Sequence, residues 1–405
     1  MIFLSAAEPN LFVRVHGAEF SMEPIKLPEV DTTHIIAMEG ALAKRVLAGN
    51  DGRLHRISFE TEKLPGFPKP FSMGSHVKPS DKVLIIRGGG IGDVLMCTPV
   101  FRVIRESLPT GAQLMLSTFK NHIPFFENNP HLDAVLPQPL TLATFLEADY
   151  YLEFSAPVSE ISQTHMTDFY LKMAGIDPSG VTGKQPEMDA RPMFHEKTAN
   201  QMEKESSGFK HLAYLNGIAS DRLRDLPPSI LRIFIQQNPD VFFFIPRQYS
   251  ERYPETMHLL NAPNSFELDT RKTFSGFVTA INCCHMTITT DSSAYHIAAS
   301  LGKPCLTLFG PIDPGFRTRY YPTVISLAAQ YNGHTCQSPC GKSMISEFKY
   351  DGIDGKKKCP EALANNMDFS PCLASFSENR LMDGCTHLIE QQTPGAMKRR
   401  GGEKH

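Results

Sequence analysis

Two stretches of the sequence place a carboxylate, free backbone amides and hydroxyls where a strand would hand over to a helix. In the first, Ile85-Ile86-Arg87-Gly88-Gly89-Gly90-Ile91-Gly92-Asp93, a glycine-rich turn opens a helix. Glycines at Gly88, Gly89, Gly90 and Gly92 let the backbone turn tightly and let a ligand reach the amides at the helix start. Asp93 is a carboxylate at the strand tip, able to take a proton from a substrate hydroxyl. The plainer alternative is an acid of the first helical turn, favoured by the helix dipole. The loop is not a dinucleotide fingerprint. Gly88 and Gly90 fit, but Asp93 occupies the place of the third glycine, and Ser117-Thr118-Phe119 offers no acid to a ribose after the next strand. An NAD-dependent oxidoreductase is therefore disfavoured.

In the second stretch, ITTDSSAYHIAASLGKPCLTLFGPIDP, a strand delivers Asp291, Ser292 and Ser293 to a helix beginning near Ala294. Amides and hydroxyls in that geometry suit phosphate or sugar oxygens. The competing reading makes Asp291 an ordinary cap and His296 a packed helix residue. Farther on, Cys336 and Cys340 are spaced C-x₃-C and are followed by Cys359, Cys372 and Cys385. Four thiolates from two loops can close a tetrahedral shell around zinc or iron. Such a clip would order the polar stretch between Cys340 and Cys359, which includes Lys356 to Lys358. The expectation is one structural metal on Cys336, Cys340, Cys359 and Cys372, with Cys385 free; reduced cysteines packed in a core are the alternative.

The elements that must position these groups follow a regular grammar. From residue 82 apolar strand candidates (83–86, 114–116, 134–136, 150–154) alternate with helical spacing, which over 93–107 runs through Val94, Cys97, Val100, Phe101 and Ile104. Alternation of this kind implies crossover connections and a parallel sheet. The grammar restarts at His211, with strands expected at 212–215, 241–245, 286–289 and 305–309 and helices at 227–236, 274–283 and 294–301. Two doubly wound, Rossmann-like units imply a cleft between them, with ligands outside the carboxyl ends of the strands. Residues 1–80 differ: short strand candidates at 11–15, 33–37 and 54–59 and a Pro-rich stretch at 64–70 indicate a small β-leaning module and a linker.

The chain has 405 residues, room for two domains and an appendage. Lys and Arg number 40 against 43 Asp and Glu, so no basic surplus supports a nucleic-acid partner. No apolar run is long enough to span a bilayer, and the first residues lack the charged start of a signal peptide, so a cytoplasmic protein is expected. Nine cysteines without a secretion signal point to thiols or metal ligands rather than disulfides. Lys398, Arg399 and Arg400 read as a solvated tail.

RGGGIGDVLMCTPVFR resembles the R-x-x-x-[LI]-G-D-x-[LV]-x-x-[TS]-P signature of glycosyltransferase family nine, the ADP-heptose:lipopolysaccharide heptosyltransferases. DSSAYHIAASLGKPCLTLFGPIDP is similar to that family's D-[TS]-G-x-x-H-[LI]-A-A-x-[LF]-G-x-P block. FENNPHLDAVLP and HMTDFYLKMAGID resemble two segments between them, in the same order, across about residues 82–310. The resemblance implies an α/β fold of the GT-B type. Its parts would be a module and linker (1–80), an acceptor domain (81–190), a donor domain (191–330) and a cysteine-rich segment with a C-terminal helix and tail (331–405). It implies inverting transfer of heptose from ADP-heptose to a hydroxyl of a lipopolysaccharide core or of protein Ser/Thr, with no catalytic cofactor. Asp93 matches the catalytic base, and Asp291, Ser292, Ser293 and His296 match the donor loop. Arg224 in SDRLRDLPP stands near the family's Lys or Arg for the donor phosphates. Ser293 replaces the usual Gly and Leu226 the usual Trp. The alternatives are a UDP- or GDP-sugar donor, an epimerase, which shares the architecture but is not expected to carry the paired signatures, and a degenerate binding or assembly module, which Ser293 favours. The N-terminal extension and the cysteines resemble the autotransporter heptosyltransferase branch, whose members form large oligomers.

Overall fold

The computed structural model of the protein describes residues 1–6, 11–15, 18–22, 35–50, 52–57, 66–154, 163–270, 274–334, 336–341 and 359–391. Parts of the elements expected at 33–37, 54–59 and 64–70, and the tracts 356–358 and 398–400, lie outside these residues. The chain divides into two compact units, Met1–Pro157 with Met166–Lys184, and Val158–His165 with Gln185–His405.

The strands of the first unit are β1 (Ile2–Ala6), β2 (Leu11–Val15), β3 (Ala18–Met22), β4 (Ile36–Met38), β5 (Leu54–Ile57), β6 (Lys69–Pro70), β7 (Lys82–Ile86), β8 (Gln113–Phe119), β9 (Ala134–Gln138), β10 (Leu140–Thr141) and β11 (Tyr150–Glu153). Five of them form a parallel sheet in the order β6-β11-β7-β8-β9. Its central strand β7 is apolar from Val83 to Ile86 and fully buried, as a parallel strand covered on both faces must be. The helical spacing over 93–107 resolves into two helices, Ile91–Leu95 and Thr98–Ser107. Pro99 explains the break, because it sits in the first turn of the second helix, where its missing N–H leaves no bond unmade.

Three strands from before the linker join β10 in a four-stranded sheet in the order β10-β4-β1-β5, with antiparallel pairings throughout. The strands alternate sides residue by residue. Leu4, Ile36 and Met38 pack with Leu42 and Val46 of the helix Gly40–Ala48 and with Phe119. Phe3 and Ala37 face the other way, onto Leu84, Ile86 and Met115 of the parallel sheet. The sheet thus shares its core with the parallel sheet and takes its fourth strand from residues 140–141. Burial of each such large side chain is worth about 1.5–3 kcal/mol.

The second unit has β12 (His211–Asn216), β13 (Val241–Pro246), β14 (Ser265–Leu268), β15 (Met286–Thr290), β16 (Cys305–Phe309) and β17 (Val324–Ala328). They pair in parallel in the order β14-β13-β12-β15-β16-β17. Numbered within the unit, this is 3-2-1-4-5-6, the nucleotide-binding order. Leu381, Cys385 and Leu388 of the helix Glu378–Glu390 share a buried cluster with Leu231, Phe234 and Ile235 of the helix Pro228–Gln237.

Candidate active site

Both loops singled out in the sequence leave the carboxyl end of a strand next to the point where strand order reverses. In the first unit that point lies between β7 and β11, and the glycine loop follows β7; in the second it lies between β12 and β15, and Asp291 follows β15. Connections diverge there, so the sheet leaves an unfilled crevice at that position.

The glycine loop holds a charge network. The buried Glu39, directly after β4, accepts the Gly88 N–H at 2.9 Å. Arg87 lies 3.7 Å from Glu39 Oε2 and 3.2 Å from Asp93 Oδ2, with its guanidinium 5.6 Å from the centre of the Tyr170 ring. Burial alone would lower the Arg87 pKa, but Tyr170, Asp93 and Glu39 together raise it, so the guanidinium stays charged. Asp93 Oδ2 also accepts the Gly90 N–H at 3.2 Å, which closes the helix start. The Asp93 side chain nevertheless keeps 38% of its surface in solvent, open to a partner.

The glycines differ in their reasons. A Cβ on Gly88 would stand 2.6 Å from the Phe119 ring and 2.7 Å from Glu39 Oε1, so Gly88 is small because the protein packs beneath it. Gly89 has φ +86°, the left-handed region where a side chain is strained. Gly90 is exposed and Gly92 is buried inside the first helical turn.

In the second unit the structure brings Arg224, Asp291 and Ser292 together. The Arg224 Nη1–H donates to the Asp291 carbonyl at 2.9 Å and lies 3.2 Å from its carboxylate, while Nη2–H reaches Ser220 at 2.9 Å. The other carboxylate oxygen of Asp291 accepts from the Tyr295 hydroxyl at 3.1 Å. Ser292 caps the helix Ser293–Ser300 and is held by Asn216 at 3.0 Å and Thr289 at 2.9 Å. Asp291 and Ser292 are thus engaged inside the protein. The Nε–H of Arg224 is buried and has no hydrogen-bond partner among the described residues. Asp291 and Asp221 raise the Arg224 pKa against the opposing effect of burial. Ser293, half-buried, is the first residue of the helix. His296 is buried, with Nδ1 2.7 Å from the Tyr321 hydroxyl and its ring 4.0 Å from that of Tyr295. Burial first, then Arg317, His165 and Arg224, hold its pKa well below the ordinary value. His296 is therefore neutral near pH 7 and lends no positive charge to a ligand.

Residues 228–344 match the model of glycosyltransferase family 9 (heptosyltransferase). The match lies within the second unit, and over it the chain is similar to the heptosyltransferases. No curated protein matches it in sequence. Among solved structures it is similar to a family 9 glycosyltransferase of Veillonella parvula, at TM-score 0.54 and 17% identity over 78% of this chain and 100% of that one. ADP-heptose lipopolysaccharide heptosyltransferase II of E. coli aligns at TM-score 0.54 and 13% identity, over 77% of this chain and 99% of that one. The iron-containing dodecameric glycosyltransferase TibC of enterotoxigenic E. coli aligns at TM-score 0.50 and 11% identity, over 80% and 78% of the two chains. These likenesses bear on the fold: two parallel α/β sheets of the GT-B type.

Among the described residues no disulfide joins the cysteines. Cys336, Cys340, Cys359 and Cys372 line one small pocket together with Leu223, Pro311, Ser338, Ser370 and Pro371. Cys385 does not line it and is buried in the core of the second unit. Burial first, then the other three thiols of the pocket, raise the Cys372 pKa to about 12. As they stand, no three His, Cys, Asp or Glu side chains among the described residues are drawn together as a metal-holding group. The donor set itself fits zinc or iron, since four thiols share one pocket. No helix among the described residues is long and apolar enough to cross a membrane.

Sequence reasoning passed over Glu39, Arg87, Asn216 and Tyr295. Arg87 was legible as a cation directly behind the strand tip. Glu39 carried no signal, being 49 positions from its partner Gly88.

Proposed function

We propose that this glycosyltransferase moves heptose from ADP-heptose to an acceptor hydroxyl, on a lipopolysaccharide core or on protein serine or threonine, with inversion at the anomeric carbon. The observation that carries the reading is Arg224, a partly exposed cation held by Asp291, beside a helix amino terminus at the switch point of a nucleotide-type sheet. A diphosphate suits that arrangement. The family's name and the ADP-heptose of two similar proteins, heptosyltransferase II and TibC in its complex with ADP-D-β-D-heptose, favour this donor.

In this reading residues 81–190 serve the acceptor and 191–330 the donor. The acceptor oxygen forms its bond to the anomeric carbon as the bond to the β-phosphate oxygen breaks, and ADP leaves with the electron pair. Charge growing on the leaving oxygen is offset by Arg224 and the helix amino terminus at Ser293, with Asp291 holding the guanidinium in place. Asp93 accepts the acceptor proton late, when the hydroxyl has become acidic. Arg87 and Glu39 fix the loop from which Asp93 projects. Cys336, Cys340, Cys359 and Cys372 would hold a structural zinc or iron that orders their segment. Assembly into a homo-oligomer belongs to the same reading, TibC being dodecameric.

The test is nucleotide release from ADP-heptose, UDP-sugars and GDP-sugars by the purified protein. Release from ADP-heptose alone is expected. Preference for a UDP- or GDP-sugar overturns the donor, and a folded protein that hydrolyses none would be a binding or assembly module.

A further inference from the structure

The turn that carries Arg224 has a second face. Arg222–Arg224 form one 3₁₀ turn, in which successive side chains point about 120° apart. Arg224 runs to Asp291, whereas the buried Leu223 enters a small cluster with Cys359 and Ala362. Leu223 also lines the pocket of the four cysteines, and Ser370, in the same wall, donates its hydroxyl to the Leu223 carbonyl at 2.8 Å.

The ends of the turn are pinned independently. Asp221 accepts the Leu223 N–H at 3.0 Å. The buried Asp225 accepts from Arg252 and Tyr253, each at 2.7 Å, and from the Ala219 N–H at 2.8 Å. The middle of the turn rests on the cysteine segment. That segment also grips the loop after β16: a Cβ on Gly310 would come within 2.8 Å of Cys372 Sγ, and Gly341 donates its N–H to the Pro311 carbonyl at 2.7 Å.

We propose that the cysteine segment positions the donor site: Leu223 and Ser370 hold the 222–224 turn so that Arg224 stands ready for the nucleotide diphosphate. The inference rests on Arg224 being the diphosphate contact. A guanidinium already in place binds without first being ordered, and loosening its support moves that ordering cost into the binding step. Leu223 and Ser370 are positioning residues, because each acts through Arg224.

The experiment is calorimetry of ADP binding to the full chain, comparing the wild type with Leu223→Ala, Ser370→Ala and Cys359→Ser, each also made in an Arg224→Ala background. Circular dichroism and a cooperative melt establish that each variant is folded. Leu223→Ala and Cys359→Ser are expected to weaken ADP binding about fivefold or more. Ser370→Ala, the mildest change, weakens it less and carries the test if the others fail to fold. With Arg224 already Ala, none should weaken binding further, since effects that run through one residue do not add. Unchanged affinity in the folded variants, or losses that persist undiminished in the Arg224→Ala background, overturn the positioning role. Unchanged affinity in Arg224→Ala itself overturns the diphosphate contact, and the positioning role with it.

Discussion

Replacing Asp93 by Asn removes a proton acceptor and little else, and the surroundings of the residue allow the two consequences to be sized separately. The Asn oxygen can still accept the Gly90 N–H that Asp93 Oδ2 accepts at 3.2 Å. The ion pair with Arg87 is lost, but the Asp93 side chain is 38% exposed and Arg87 keeps Glu39 at 3.7 Å. Solvent screening limits the value of such a pair to about 0.5 kcal/mol. The folded state should therefore lose about 1 kcal/mol at most, a fall in melting temperature of about 2–4 °C for a unit of this size. A general base contributes about 10²–10⁴-fold in rate, or about 3–5 kcal/mol of barrier. The kinetic effect exceeds the structural one several-fold. Single-turnover ADP release from ADP-heptose with an acceptor present, calorimetry of ADP binding and a thermal melt read the three quantities. Turnover should fall about 100-fold or more with ADP affinity unchanged. A folded Asn variant with near wild-type turnover would return Asp93 to the role of a helix-capping acid.

The depressed pKa of His296 makes the second unit sensitive to acid. Because the folded-state value lies below the ordinary 6.5, its stability contribution is complete above that pH and is lost as pH falls, at about 1.4 kcal/mol per pH unit. Denaturant unfolding between about pH 7 and pH 5 should show a shallower loss in His296→Gln than in the wild type, and equal slopes would refute the assignment. For the cysteine pocket, elemental analysis should find about one zinc or iron per chain, absent from a Cys336→Ser/Cys359→Ser variant. Metal-free protein of full stability whose pocket thiols titrate readily would leave the four cysteines as packing groups.

The parallel sheets were legible because strands covered on both faces read as unbroken apolar runs, as in Val83 to Ile86 and Cys305 to Phe309. Short strands with mixed composition, β14 (SFEL) and β17 (VISLA), gave no such run and stand at the sheet edges. β1 (IFLSA) was passed over as a strand although it lies inside the N-terminal sheet, between β4 and β5. Around the candidate site, Asp291 stood out because it follows a strand directly, and Asp93 because it closes the glycine loop that leaves one. Their pairings were not, since Arg224 reaches Asp291 across 67 positions, and only tertiary folding decides such pairs. The glycines show a subtler limit. Gly88 reads like a ligand-contacting glycine in sequence, yet the space it leaves is filled by Phe119 and Glu39.

Glu39 makes the parallel sheet of the first unit a poor unit of exchange. Residues 81–184 resemble a module that recombination could lift out and graft elsewhere. The transplanted piece would bring Arg87 without its buried counter-anion and the Gly88 amide without its acceptor. It would also lay bare Leu84, Ile86 and Met115, which Phe3 and Ala37 cover here. In this chain the glycine loop and the amino-terminal strands are therefore a single packing unit.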